Sequence, residues 1–221
     1  LLLVLLRAGL MEAADKGHEV CVQALLRAKA NTDLQDEDSK TALMEATDKG
    51  HEACVQALLH AKANTELLDN DGRTALMEAT DKGHEACVQA LLHAKANTDL
   101  QDNDGSTALM EAVDGGHEAC VQVLLRVKAN PNLHATNGVT ALMASANKGH
   151  EACVRALLQA KANPDLHDNY GYTPLMWAAN KGHEASVQAL LRAKANTELL
   201  DNDGRTALQW AEDQGHTSIA K

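Results

Sequence analysis

Apolar residues along this chain come in two short bursts that repeat on a longer cycle. In one cycle Leu43, Met44, Ala46 and Thr47 fit a short helix that stops at Gly50, a residue suited to the left-handed position after a helix end. After Gly50-His51, the residues Cys54, Val55, Leu58, Leu59 and Ala61 fall at three- and four-residue spacing and predict a second helix with one apolar face. From Ala63 to Arg73 the chain turns polar and rich in Asx and Gly, which predicts an extended arm closing in a turn. Each cycle therefore reads helix, turn, helix, finger.

The cycle has a fixed length. The segment Thr41-Ala42-Leu43-Met44-Glu45-Ala46 returns at Thr74, Thr107, Thr140, Thr173 and Thr206, each start 33 residues after the last, and a degenerate copy begins at Ala8. Residues 1–221 are thus expected to form a single domain of about seven units starting near 8, 41, 74, 107, 140, 173 and 206, the last one partial. A two-helix unit cannot bury its apolar face alone, so the units must stack into an all-α solenoid.

The period and the copy Thr173-Pro174-Leu175-Met176-Trp177-Ala178, followed by Gly182-His183 and the helix Val187-Gln188-Ala189-Leu190-Leu191, resemble the ankyrin-repeat family over nearly the whole chain. The resemblance implies helix-turn-helix units with β-turn fingers. Two columns depart from the family pattern. The signature His is Met44, Met77, Met110, Met143 and Met176, with Gln209 in the last copy. The Gly that ends the second helix is Lys29, Lys62, Lys95, Lys128, Lys161 or Lys194; either each Lys takes a positive φ, at a cost on the order of 1 kcal/mol, or the helix end is reshaped.

Composition narrows the function. The formal charge of −11 argues against binding nucleic acid through a basic face. Aromatic residues are only 2% of the chain and Phe is absent, so the core must be built from Ala, Leu and Val packed at close range. The longest apolar run, Leu1 to Leu6, ends at Arg7; it is too short to insert in a membrane and has no basic leader or small-residue cleavage site. A monomer in an intracellular, cytoplasmic setting is expected.

No enzyme chemistry is predicted. Cys21, Cys54, Cys87, Cys120 and Cys153 recur on the core face of the second helix. Helices pack about 8 to 10 Å apart, so neighbouring thiols stay reduced and act as small hydrophobes. Seven His residues, from His18 to His216, follow Gly at the turn between helices; His60, His93, His134 and His167 have no zinc-ligand context. Asp69, Asp71, Gly72 and Glu78 overlap half of a calcium loop, but Leu67 occupies the first ligand position and the turn reading is preferred. Nothing implies a cofactor or a metal.

Variation between units locates the expected partner site. One column runs Glu12, Glu45, Glu78, Glu111, Ala144, Trp177, Trp210; a second runs Asp15, Asp48, Asp81, Asp114, Asn147, Asn180, Asp213; the finger tips run Arg7, Lys40, Arg73, Ser106, Val139, Tyr172, Arg205. The resemblance implies that these columns line the concave face and finger tips with which ankyrin repeats hold partners. Up to about residue 118 they form a solvated ladder of Glu and Asp with basic tips. From about 134 to 210 the face loses most of those charges and gains every aromatic of the chain, Tyr170, Tyr172, Trp177 and Trp210.

The expected function is a non-catalytic protein-protein interaction module, its partner-binding residues being Tyr170, Tyr172, Trp177, Asn180, Trp210, Val139 and Asn147. Packing against neighbouring helices is the competing reading for the two Trp. Two other functions stay open: a targeting or regulatory segment of a larger enzyme, channel or adaptor, and a structural or engineered scaffold without a dedicated partner. The resemblance also implies that fingers can be substrates of asparagine hydroxylation, for which Asn132, the only Asn in its finger column, is the one candidate position.

Overall fold

The structure, a computed structural model, describes residues 2–216 and 218–219. Among the described residues there are thirteen helices and no strand. The chain divides into two compact units, Leu1–Asn103 and Asp104–Lys221. The first holds α1 (Leu2–Asp15), α2 (Glu19–Arg27), α3 (Ala42–Asp48), α4 (Glu52–His60), α5 (Ala75–Asp81) and α6 (Glu85–His93). Here α1, α3 and α5 pack as one row, α2, α4 and α6 as a second, and each odd helix packs on the even helix that follows it.

The second unit repeats this plan with α7 (Ala108–Asp114), α8 (Glu118–Arg126), α9 (Ala141–Lys148), α10 (Glu151–Gln159), α11 (Pro174–Lys181), α12 (Glu184–Arg192) and α13 (Ala207–Asp213). Its rows are α7, α9, α11, α13 and α8, α10, α12. An isolated bridge pairs His134 with Thr140 at the base of one finger.

The repeated Thr starts each first helix from α3 onward. The Oγ of Thr41 accepts the N–H of Met44 at 3.2 Å, and Thr41 N–H in turn donates to Met44 Sδ at 3.4 Å. Met therefore fills the reciprocal half of a capping box, as a weak acceptor in place of the family's His. Gln209 does the same at Thr206 with a better acceptor, its Oε1 taking the Thr206 N–H at 2.8 Å. At the other end of the unit all six second-helix Lys residues adopt positive φ, from 61° at Lys29 to 70° at Lys128. The left-handed turn is kept although glycine is not.

The core lies between the two rows. Leu43, Met44, Cys54, Val55 and Leu58 are buried, as are their counterparts in the repeats that start at Thr74, Thr107, Thr140 and Thr173, whereas Leu208 and Gln209 of the last repeat are exposed. Cys21 departs from this pattern and is exposed, because no second helix precedes α2 among the described residues to cover it. The five cysteines form no disulfide.

The start of the chain also departs from expectation. Arg7 lies within α1 and not at a finger tip, since residues 1–7 contain no Asx, Gly or Pro to make a turn and the apolar run simply extends the helix. Leu1 lies outside the described residues. So do Thr217, Ala220 and Lys221, on which the second helix of the last repeat was expected.

Candidate interaction face

In the second unit the fingers of residues 168–172 and 201–205 are each folded by one carboxylate. Asp168 Oδ1 accepts the backbone N–H groups of Tyr170 and Tyr172, both at 2.9 Å, which turns the chain back toward α11. Its Oδ2 accepts the indole N–H of Trp177 at 3.1 Å. Asp201 repeats the arrangement, taking the N–H groups of Asp203 and Arg205 at 2.9 Å and Trp210 Nε1 at 2.8 Å. These hydrogen bonds, chiefly those from the backbone, outweigh burial and hold the Asp201 carboxyl below its ordinary range.

With the indoles fixed in this way, the finger-tip ring fits between them. Tyr172 lies 4.9 Å from Trp177 and 5.3 Å from Trp210, centroid to centroid, with interplanar angles of 31° and 38°. The Arg205 guanidinium sits 4.5 Å from the Trp210 ring, within cation–π range. Trp177, Tyr172, Trp210 and Arg205 form one column spanning two repeats. All three rings are half-buried. Burial, then the field of Asp201, pushes the Tyr172 phenol above its ordinary value.

The other expected residues lie around this column. Tyr170 is 68% exposed at its finger tip. Val139 occupies the finger-tip position one repeat earlier, half-buried, its N–H donating to Asn137 Oδ1 at 3.0 Å. Asn147 and Asn180 are half-buried near the ends of α9 and α11, and their backbone carbonyls accept Nε2 of His183 and His216 at 2.9 and 3.1 Å. The Oδ1 of Asn147 is buried without a hydrogen-bond partner. Asp168 and Asp201 were absent from the sequence-derived set. Their signal is an Asp nine residues before each Trp.

The first unit builds the same column from charge. Lys40 acts electrostatically on both Glu45 and Glu78, and Arg73 lies 3.8 Å from Glu78 and 3.5 Å from Asp81. The ladder is therefore not a uniformly solvated face. Glu12 is exposed, Glu45 half-buried and Glu78 buried, and burial raises the carboxyls of Glu45 and Glu78 despite the nearby cations. The half calcium loop is also engaged internally, since Asp69 Oδ1 accepts the N–H groups of Asp71 and Arg73 at 3.0 and 2.8 Å.

The turn His residues join repeats. His51 Nε2 meets the Asp15 carbonyl at 2.9 Å and His84 Nε2 the Asp48 carbonyl at 3.1 Å. The preceding glycine makes room, because a Cβ on Gly50 would lie 2.6 Å from His84 Nδ1. Adjacent fingers are joined by Asn103 N–H to the Asp71 carbonyl at 3.0 Å, and in the second unit by Asn202 N–H to the Tyr170 carbonyl at 3.0 Å. Asn132 is one of these joints, its Oδ1 accepting the Asn163 N–H at 2.8 Å.

On the second-helix side, an open groove of about 610 Å³ between α4 and α6 is lined by Gln56, His60, Lys62 and His93. Among the described residues no group of three or more His, Cys, Asp or Glu is placed to hold a metal ion, and no helix is long and apolar enough to cross a membrane. Burial raises the Cys87 thiol to about 11, as a packed, unreactive sulfur requires.

The comparisons agree with this architecture. A family model described as "Ankyrin repeats (3 copies)" matches residues 10–102, 86–168 and 160–221. The human ASB11 ankyrin repeat domain is similar in structure, with a TM-score of 0.83 at 28% identity, covering 96% of this chain and 97% of that one. The ankyrin repeat domain of Bcl-3, a member of the IkappaB protein family, gives a TM-score of 0.86 at 25% identity, with 96% of each chain covered. No curated protein sequence matches the chain.

Proposed function

We propose, from the premise that this chain belongs to the ankyrin-repeat family, that it is a non-catalytic interaction module holding a protein partner on its first-helix face and finger tips. Ankyrin repeats are generally protein-protein interaction modules. The observation that carries the finer reading is the Trp177–Tyr172–Trp210 column with the exposed Tyr170 beside it. Its two indoles are already held by Asp168 and Asp201, with Tyr172 packed between them, so a partner that covers them does not have to freeze free rotamers. Aromatic side chains held in this way are the commonest hot spots. The module acts as a monomer in the cytoplasm and needs no cofactor.

The test is cross-linked capture from lysate with the wild-type chain, a Tyr170→Ala/Asn180→Ala variant that leaves the column intact, and a Tyr172→Ala variant shown to be folded by circular dichroism. Loss of one protein from both variants supports the assignment. Capture unchanged by either variant removes the aromatic half as the anchor.

A further inference from the structure

We infer that Asn137–Gly138 is a site of spontaneous covalent modification, in which the Asn137 side-chain amide is lost through a succinimide to leave aspartate or isoaspartate at one finger tip. Asn-Gly occurs once in the chain; at the same position other fingers carry Asp38-Ser39, Asp71-Gly72, Asp104-Gly105, Tyr170-Gly171 and Asp203-Gly204. Glycine leaves the attacking main-chain nitrogen unshielded.

The finger of residues 135–139 differs from the others in a second way. Asp36, Asp69, Asp168 and Asp201 each clamp their finger by accepting the N–H groups two and four residues on. Ala135 stands in that place and has no side-chain acceptor, and Asn137 Oδ1 takes the Val139 N–H at 3.0 Å instead. A side-chain bond to the N–H two residues ahead carries Cγ toward the nitrogen between them, that of Gly138. The same Val139 N–H then stabilises the negative charge that develops on Oδ1.

In the first step the Gly138 nitrogen gives its proton to solvent hydroxide and bonds to Cγ, the Cγ–Nδ2 bond breaks, and ammonia leaves with a proton from water. Water next opens the ring. Attack at Cγ restores the main chain with aspartate, and attack at the main-chain carbonyl routes the chain through Cγ as isoaspartate. No electrons are gained or lost. The Gly138 N–H donates to the Ala135 carbonyl at 2.8 Å, so reaction proceeds when that turn bond opens, in a finger without its carboxylate clamp.

The two products differ in consequence. Aspartate is the residue that four other fingers already carry there. Isoaspartate turns the Asn137 carbonyl into a free carboxylate and puts the side-chain methylene into the main chain beside Gly138, where neighbours stand close: a Cβ on Gly138 would lie 2.7 Å from Asn169 Oδ1 and 2.8 Å from its backbone nitrogen. The Asn169 N–H to Asn137 carbonyl bond, 3.1 Å, is then lost, and the finger bearing Tyr170 and Tyr172 is released from its neighbour.

The experiment incubates the full chain in mildly alkaline heavy-oxygen water and maps peptides at intervals. The expected result is conversion at Asn137 with one heavy oxygen gained, isoaspartate among the products, and Asn70, Asn103 and Asn169 unchanged. Ala135→Asp, which restores the clamp and competes for the Val139 N–H, is expected to slow conversion about tenfold. A chain that keeps Asn137 intact while a peptide of residues 132–142 converts would overturn the proposal. Equal conversion at the other three Asn residues, or an Ala135→Asp rate equal to wild type, would overturn it as well.

Discussion

The indole N–H of Trp210 donates to Oδ2 of Asp201 across 2.8 Å, and the other oxygen of that carboxylate holds the finger's backbone. One buried acid therefore ties a finger to the helix nine residues later, and the same tie recurs between Trp177 and Asp168. Replacing either Trp by Phe removes a hydrogen bond to a charged group. Each variant is expected to lower the unfolding free energy by about 1 to 3 kcal/mol, measured by urea denaturation. A change close to zero would show that the indole N–H adds nothing to the fold.

The Lys residues after the second helices provide a backbone test. Lys62 and Lys95 sit at φ 68° and 67°, whereas Lys49 caps a first helix at φ −89°. Lys62→Gly and Lys95→Gly should each stabilise by roughly 0.5 to 1 kcal/mol, and Lys49→Gly should not. The midpoints of chemical denaturation separate the two classes.

Ser186 takes the place of Cys in its column, buried, with its hydroxyl unpartnered. Ser186→Cys exchanges an unsatisfied polar group for the thiol that four buried counterparts carry. A gain of about 1 kcal/mol is expected, seen as a higher Tm.

Glu78 gives a pH signature. Burial holds its folded pKa above the ordinary value, the nearby Arg73 and Lys40 offsetting only part of that effect. The native state thus binds its proton more tightly than the unfolded chain, and stability falls as pH rises from the ordinary Glu range through the raised value. Glu78→Gln should raise Tm at neutral pH and flatten that decline. The reverse sign applies to Asp81, where Lys82 and Arg73 together overcome burial and lower the pKa. Its contribution is present above the ordinary Asp range and is lost as pH falls through the lowered value.

Periodicity alone carried the architecture, because a 33-residue frame with Thr at each helix start leaves one stacking solution. The Lys residues after the second helices were legible only as a choice between a left-handed turn and a reshaped helix end; all six take the turn. Arg7 was misplaced because alignment to the frame assumed a finger where the local sequence has no turn residue. The site was only half legible. The column positions of Tyr172, Trp177 and Trp210 followed from the repeat, but their interleaving, and the role of Asp168 and Asp201, depend on how a finger folds over the next helix. Hydrophobic spacing carries no information about that.

The joints between repeats have a direction. In the first unit His51, His84, Asn70 and Asn103 reach back to carbonyls of Asp15, Asp48, Asp38 and Asp71, and in the second His183 and Asn202 reach back to Asn147 and Tyr170. At these couplings the later repeat donates and the earlier one accepts. Through these bonds a repeat has a donor side and an acceptor side, like a one-way coupling between railway wagons, while at one finger tip Gln35 and Ser39 reach forward to the Leu68 carbonyl and Asn70 Oδ1. A whole 33-residue copy spliced into the train meets its complement on both sides, whereas one stacked backward would set donor against donor. Length can change by whole repeats without rebuilding a joint, and the near-identical units starting at Thr41 and Thr74 are interchangeable on these terms.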